Sequence, residues 1–178
     1  MYLLRDELEG SVGYIFLSAM VVTTFQFGRK RLSSTQWRLL HKSGIYFLWA
    51  YPFSVYWWNF SRYYGDPEPI DYVFYWMGFL AFSSRIAAWG KKRLQASQRN
   101  VPGSSTSPAF KLIGGAVILF GIAVSASGRY WRGPVSDFLI APTWSANFEL
   151  WLPYWPFQPY LSLFIIGFGT LLLTKART

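Results

Sequence analysis

Residues 112–127 read LIGGAVILFGIAVSAS, without a charge and rich in small residues. A helix crossing about 30 Å of hydrocarbon at 1.5 Å per residue needs about 20 predominantly apolar residues, so this stretch lies near the lower limit for a span. Working outward, four more apolar stretches occupy residues 11–27, 44–60, 72–84 and 160–174. Flanking Trp, Tyr, Lys and Arg can lengthen each one along the interface. Threading the five in order places all eight acidic residues on one side: Asp6, Glu7, Glu9, Asp66, Glu68, Asp71, Asp137 and Glu149. It places every Lys and Arg on the other side except Arg5, Arg62, Arg129 and Arg132. Basic residues resist translocation and collect in cytoplasmic loops. The sequence therefore predicts an all-α integral membrane protein, a bundle of five transmembrane helices with its N-terminus outside and its C-terminus cytoplasmic.

Composition agrees with that class. Fifty-two per cent of the 178 residues are hydrophobic and 14 per cent charged, against about 25 per cent charged in a soluble domain. Five spans leave little chain for anything else, so residues 1–178 read as one membrane domain. The net charge of +9 comes from short runs beside helix ends, which topology and anionic headgroups explain better than nucleic acid. There is no cysteine, which excludes disulfides, thiolate-held clusters and thioether-linked haem. The opening MYLLRDELEG carries acids where a signal peptide has a basic region, so the first helix is expected to stay as a span. A bacterial inner membrane is the simplest setting.

Within that frame, residues 1–90 form helices one to three, 91–109 a cytoplasmic linker, and 110–178 helices four and five. The linker is basic first and then rich in Ser, Gly and Pro, which predicts a helical overhang followed by flexible chain. Gly114, Gly115, Gly121, Ser125 and Ser127 would let span four approach other backbones closely, placing it inside the bundle. Pro52, in the middle of span two, should kink it or expose a carbonyl that a neighbouring helix or Ser54 must satisfy. Segment 128–159, rich in Trp and Pro, is expected to lie along the outer interface. Trp57, Trp58, Trp131, Trp144, Trp151 and Trp155 fall at that level, where an indole keeps its ring in lipid and its N–H in water.

The sole histidine, His41, stands in Trp37-Arg38-Leu39-Leu40-His41-Lys42-Ser43-Gly44-Ile45-Tyr46, where the basic loop GRKRLSSTQWR leads into span two. The Trp-x-x-Leu-His-x-x-x-x-Tyr pattern after a basic loop resembles the ferric-reductase-like transmembrane family. The resemblance covers mainly residues 28–60 and is closest to the second half of its haem-binding subunits of the methionine sulfoxide reductase type. It implies that His41 is an axial ligand of a b-type haem on the cytoplasmic side. The family's second histidine follows about 13 residues later, about 20 Å up the helix, where this chain has Ser54. Its partner histidines sit on an earlier helix that this chain lacks, so bis-histidine ligation would need another membrane subunit. Read without the resemblance, His41 is a helix-start residue bonded to a lipid phosphate or loop carbonyl.

Arg85, at the inner end of span three with no acid predicted on its side, calls for an anion, either a haem propionate or a lipid headgroup. No acid or His falls at a predicted midplane, which argues against a proton or cation carrier. No nucleophile triad, carboxylate pair or phosphate loop points to catalysis. The rings of span two (Tyr46, Trp49, Phe53, Tyr56) could stack on a tetrapyrrole, quinone or carotenoid, or pack against helices and lipid. Two readings follow. One is a membrane subunit related to b-type haem electron-transfer proteins, completed by a partner chain. The other is a haem-free accessory or scaffold subunit of a larger membrane complex.

Overall fold

A computed structural model describes residues 4–63, 65–100, 107–139 and 158–175. Among these residues every regular element is helical: α1 (Leu4–Thr24), α2 (Gln26–Arg29), α3 (Ser34–Phe60), α4 (Pro69–Asn100), α5 (Pro108–Ala126), α6 (Gly128–Leu139), a 3₁₀ turn (Gln158–Tyr160) and α7 (Leu161–Leu173). One of them, α5, is long and apolar enough to cross a membrane, and Gly10–Thr24 and Gln158–Leu173 are shorter apolar helices. The chain divides into two compact units, residues 1–55 and 56–178.

In the first unit α1 and α3 lie antiparallel, with Thr23 beside His41 and the Phe16 ring 5.5 Å from that of Phe47. Extended backbone at Phe25 breaks the helix, and α2 turns the chain back. A Cβ on Gly28 would collide with the Val22 carbonyl and sit 3.1 Å from the Thr23 Cα, so only glycine allows that turn. α3 begins at Ser34, ten residues before the apolar stretch, because Ser33 and Gln36 form a capping box. The Gln36 N–H donates to Ser33 Oγ at 3.1 Å, and the Ser33 N–H to Gln36 Oε1 at 2.9 Å. The expected basic loop is thus mostly helix, and His41 lies two turns inside α3.

In the second unit α5 and α7 pack antiparallel through glycine. A Cβ on Gly114 would lie 2.8 Å from the Gly169 carbonyl oxygen, and one on Gly169 would lie 2.8 Å from that of Gly114. Further along, a Cβ on Gly121 would lie 3.1 Å from the Ser162 carbonyl oxygen. Such approach is what small residues allow in helix pairs. α4 joins them through Gly90, beside Thr170 and Thr174, and through the buried Tyr75, whose hydroxyl bonds Ser125 Oγ and donates to the Ser125 carbonyl at 3.0 Å. α4 thus groups with α5 and α7 in the second unit. Residues 91–100 continue α4 as helix, and 101–106 lie outside the described residues.

Two expectations need correction. Span four is not enclosed: Gly114, Gly121 and Ser125 are buried, but Leu112 is 76 % and Leu119 69 % exposed. The small residues line one stripe, and the rest of α5 faces outward. Nor do Trp57 and Trp58 hold an interface; they are 1 % and 8 % exposed, and Trp57 packs on Trp131 at 5.5 Å between ring centres. The Trp131 indole N–H donates to the Val124 carbonyl at 2.9 Å, satisfying an end carbonyl of α5 rather than meeting water. Segment 128–159 opens with α6, which exposes Tyr130 and Phe138. Trp144, Trp151 and Trp155 lie outside the described residues.

Candidate functional site

His41 and Trp37 stand one turn apart on α3, so both reach the end of α1. The Trp37 indole N–H donates to the Thr23 carbonyl at 3.1 Å. That carbonyl belongs to the last turn of α1 and has no helical donor of its own. Thr23 Oγ1 lies 3.0 Å from His41 Nε2 and 2.7 Å from the Ala19 carbonyl oxygen. A hydroxyl carries one proton. With that proton given to Ala19, the Thr23 oxygen accepts from His41 in its Nε2–H form. The Trp37 and His41 ring centres are 4.2 Å apart, and the Arg29 guanidinium lies 5.3 Å from the Trp37 ring centre. The first half of the Trp-x-x-Leu-His-x-x-x-x-Tyr pattern is therefore a clasp between two helices.

A haem axial ligand needs an imidazole nitrogen with its lone pair turned towards a slot wide enough for a tetrapyrrole. Here Nε2 is occupied as a donor to Thr23, and Trp37 covers the ring. The cleft of about 330 Å³ in the same unit is lined by Gly10, Gly13, Tyr14, Leu17, Phe47, Leu48, Tyr51 and Pro52, without His41. In this geometry Nε2 is turned to Thr23, and Nδ1 keeps the lone pair. Arg85 belongs to the other unit, on an exposed face of α4. Among the described residues no group of three or more His, Cys, Asp or Glu could hold a metal ion.

Pro52 leaves α3 continuous. Ser54 does not take up the freed carbonyl; its hydroxyl donates to Tyr51 at 2.8 Å. Pro52 has no N–H, so the Leu48 carbonyl lacks its donor one turn on.

At the acidic end of the second unit, Asp71 is buried and shared. It accepts from the Asn59 amide at 2.9 Å and from the Glu68 N–H at 2.8 Å, fixing the start of α4 behind Pro69. The charge pattern that placed Asp71 on the outer side gave no sign of this role. Pro at the first helical position with Asp two residues later was the available signal. Nearby, Arg132 lies 5.1 Å from the Tyr63 ring centre and donates to the Ser61 carbonyl at 3.3 Å.

No family model matches the chain, and no curated protein or solved structure matches it either.

Proposed function

We propose that this chain is an integral membrane subunit crossing the bilayer five times, its N-terminus outside, acting as a haem-free accessory or scaffold subunit within a larger membrane assembly. The observation that favours the haem-free reading is the bond between His41 Nε2 and Thr23, which gives one nitrogen of the sole imidazole a packing role. Exposure supports the membrane reading. α5 turns Leu112, Leu119 and Phe120 outward at 62–76 %, where a soluble core helix would bury them. α3 and α4 carry much of their apolar surface as Trp and Tyr, which hydropathy scales count as weakly polar.

Charge within each unit supports the orientation. In the second, Glu68 and Asp71 lie at the end where α4 begins and α5 finishes. Lys91, Lys92, Arg93, Arg99, Lys111 and Lys175 lie at the opposite end. In the first, Arg29, Lys30, Arg31, Arg38 and Lys42 gather where α1 ends and α3 begins. A bacterial inner membrane is the simplest setting for this asymmetry.

The test is a visible spectrum of the purified, haem-supplemented chain before and after dithionite, with both termini labelled in intact cells. We expect no Soret band, termini on opposite faces, and particles larger than the single chain in mild detergent. A b-type band lost in His41→Ala would restore the electron-transfer reading with a partner-completed site. Termini on one face would overturn the topology.

A further inference from the structure

No acidic residue falls between Asp71 and Asp137, and none follows Glu149. The end of α4, the start of α5 and the end of α7 therefore carry their cations without a carboxylate side chain of their own. Packing brings these three ends together. A Cβ on Gly90 of α4 would lie 2.6 Å from the Thr170 methyl and 3.7 Å from that of Thr174, and Lys91 and Lys175 each follow this contact by one residue. Lys175 Nζ in turn lies 4.8 Å from the ring centre of Phe110, the neighbour of Lys111. Lys91, Lys111 and Lys175 are all exposed. Three ammonium groups from three helices thus share one end of the unit.

Apolar surface begins where these cations stop. Phe164, Phe168, Leu171 and Lys175 recur at helical spacing, which sets them on one face, and all four are exposed. From Phe164 to Lys175 a helix rises about 16 Å, half of the hydrocarbon thickness of about 30 Å. The strip is one leaflet deep, and a cation closes it. The start of α5 repeats the arrangement, with Lys111 beside the exposed Leu112 and Ile113. A nucleic acid or an acidic protein segment would meet the charges and leave the strips bare. A phospholipid meets both, and a zwitterionic headgroup would bring a cation of its own to the lysines.

We propose that these converging ends hold a phospholipid with a net negative headgroup, its phosphate among Lys91, Lys111 and Lys175 and an acyl chain along Leu171, Phe168 and Phe164. Phosphate oxygens accept charge-assisted hydrogen bonds from ammonium groups, and basic clusters beside helix ends attract anionic headgroups. The inference rests on the membrane reading above and adds to it a preference among lipids. A chain that alkaline carbonate washes out of the membrane fraction refutes that reading, whichever lipid it retains in detergent.

The probes are dioleoylphosphatidylglycerol and dioleoylphosphatidylcholine, which share their chains and differ in net charge. Both are offered together to the full chain in a neutral detergent, and retained lipid is counted by native mass spectrometry. We expect the glycerol lipid to be retained about tenfold or more over the choline lipid, since each Lys or Arg near a headgroup layer is worth about fivefold. Combining Lys91→Gln, Lys111→Gln and Lys175→Gln should bring the two lipids close to equal, and Arg at the same three positions should keep the preference. Removing three exposed cations of the first unit instead, by Lys30→Gln, Arg31→Gln and Lys42→Gln, should keep it too. Equal retention by the unaltered chain overturns the proposal, as does a preference that survives the second-unit glutamines. An equal fall in the first-unit variant also overturns it, because net charge alone would then set the preference. So does displacement of the retained lipid by an equal concentration of short single-stranded DNA. Circular dichroism identifies a misfolded variant, and the comparison of the two lipids on the unaltered chain stands without any.

Discussion

Gly114 and Gly115 are neighbours on α5 with opposite surroundings, which makes them a matched pair for measuring how tightly α5 meets α7. A Cβ added at Gly114 would fall 2.8 Å from both the Gly169 carbonyl oxygen and the Leu173 amide nitrogen, and 3.0 Å from Leu173 Cγ. Two of those three atoms are backbone, so a rotamer change cannot relieve the clash and the helices must separate. Overpacking of this kind costs about 1–3 kcal/mol. A Cβ at Gly115 would meet nothing within 4 Å. Both substitutions bring the same gain, up to about 1 kcal/mol, from replacing helical glycine by alanine. That gain cancels in the difference. Gly114→Ala is therefore expected to be about 1–3 kcal/mol less stable than Gly115→Ala, and Gly115→Ala no less stable than the parent chain. Unfolding from mixed micelles by added dodecyl sulfate, followed by Trp fluorescence and circular dichroism, measures both. Indistinguishable midpoints for the two variants would refute the close α5–α7 packing.

Thr23→Val leaves the His41 Nε2–H without its acceptor and should cost about 1–3 kcal/mol. Adding His41→Phe should restore part of that loss, which a double-mutant cycle under the same unfolding conditions would read as coupling. Tyr75→Phe removes the hydroxyl that bonds Ser125 and should cost about 0.5–1.5 kcal/mol by that assay, the net worth of one such bond. Arg62 has φ of 61° at the end of α3, and the Tyr63 N–H bonds back to the Trp58 carbonyl at 3.0 Å in the manner of a glycine-type cap. Arg62→Gly should therefore raise stability by up to about 1 kcal/mol despite losing the exposed contact to Asp66.

The helical class was legible because apolar runs of this length leave few alternatives. Their ends were less so. The run at 44–60 marks where α3 is apolar, whereas its start is set by Ser33 and Gln36, an S-x-x-Q signal readable in the sequence but hidden inside a basic run. The small residues of 112–127 correctly announced close packing, yet periodicity alone assigns Gly114 and Gly121 to one stripe without saying that the opposite face stays open. Trp57 and Trp58 were misplaced for another physical reason. An indole at a helix end suits either an interface or a core, and composition does not distinguish them. The stacking of Phe60 on Tyr75 at 4.4 Å and the tilted contact of Trp57 with Trp131 depend on contacts distant in sequence. His41 shows the same limit from the side of chemistry, since its pattern suits a metal ligand while its partner Thr23 lies on the preceding helix.

That clasp bears on the cleft as well. The α1–α3 pair is pinned at one end, where Trp37 and His41 hold Thr23 and Gly44 admits Met20, and it opens at the other, beside Gly10, Gly13 and Pro52. Separation of the two helices by a few tenths of an ångström at the pinned end is carried along two stiff rods to the open one. Stability is seldom uniform along such a pair, and the less tightly packed end opens first. Backbone amides in residues 10–17, at the open end, should therefore exchange with solvent deuterium faster than those in residues 18–23. Thr23→Val should then speed that exchange although Thr23 lies at the other end of α1. If exchange in residues 10–17 is indifferent to that substitution, the two ends act independently, and His41 serves only the local end of α1.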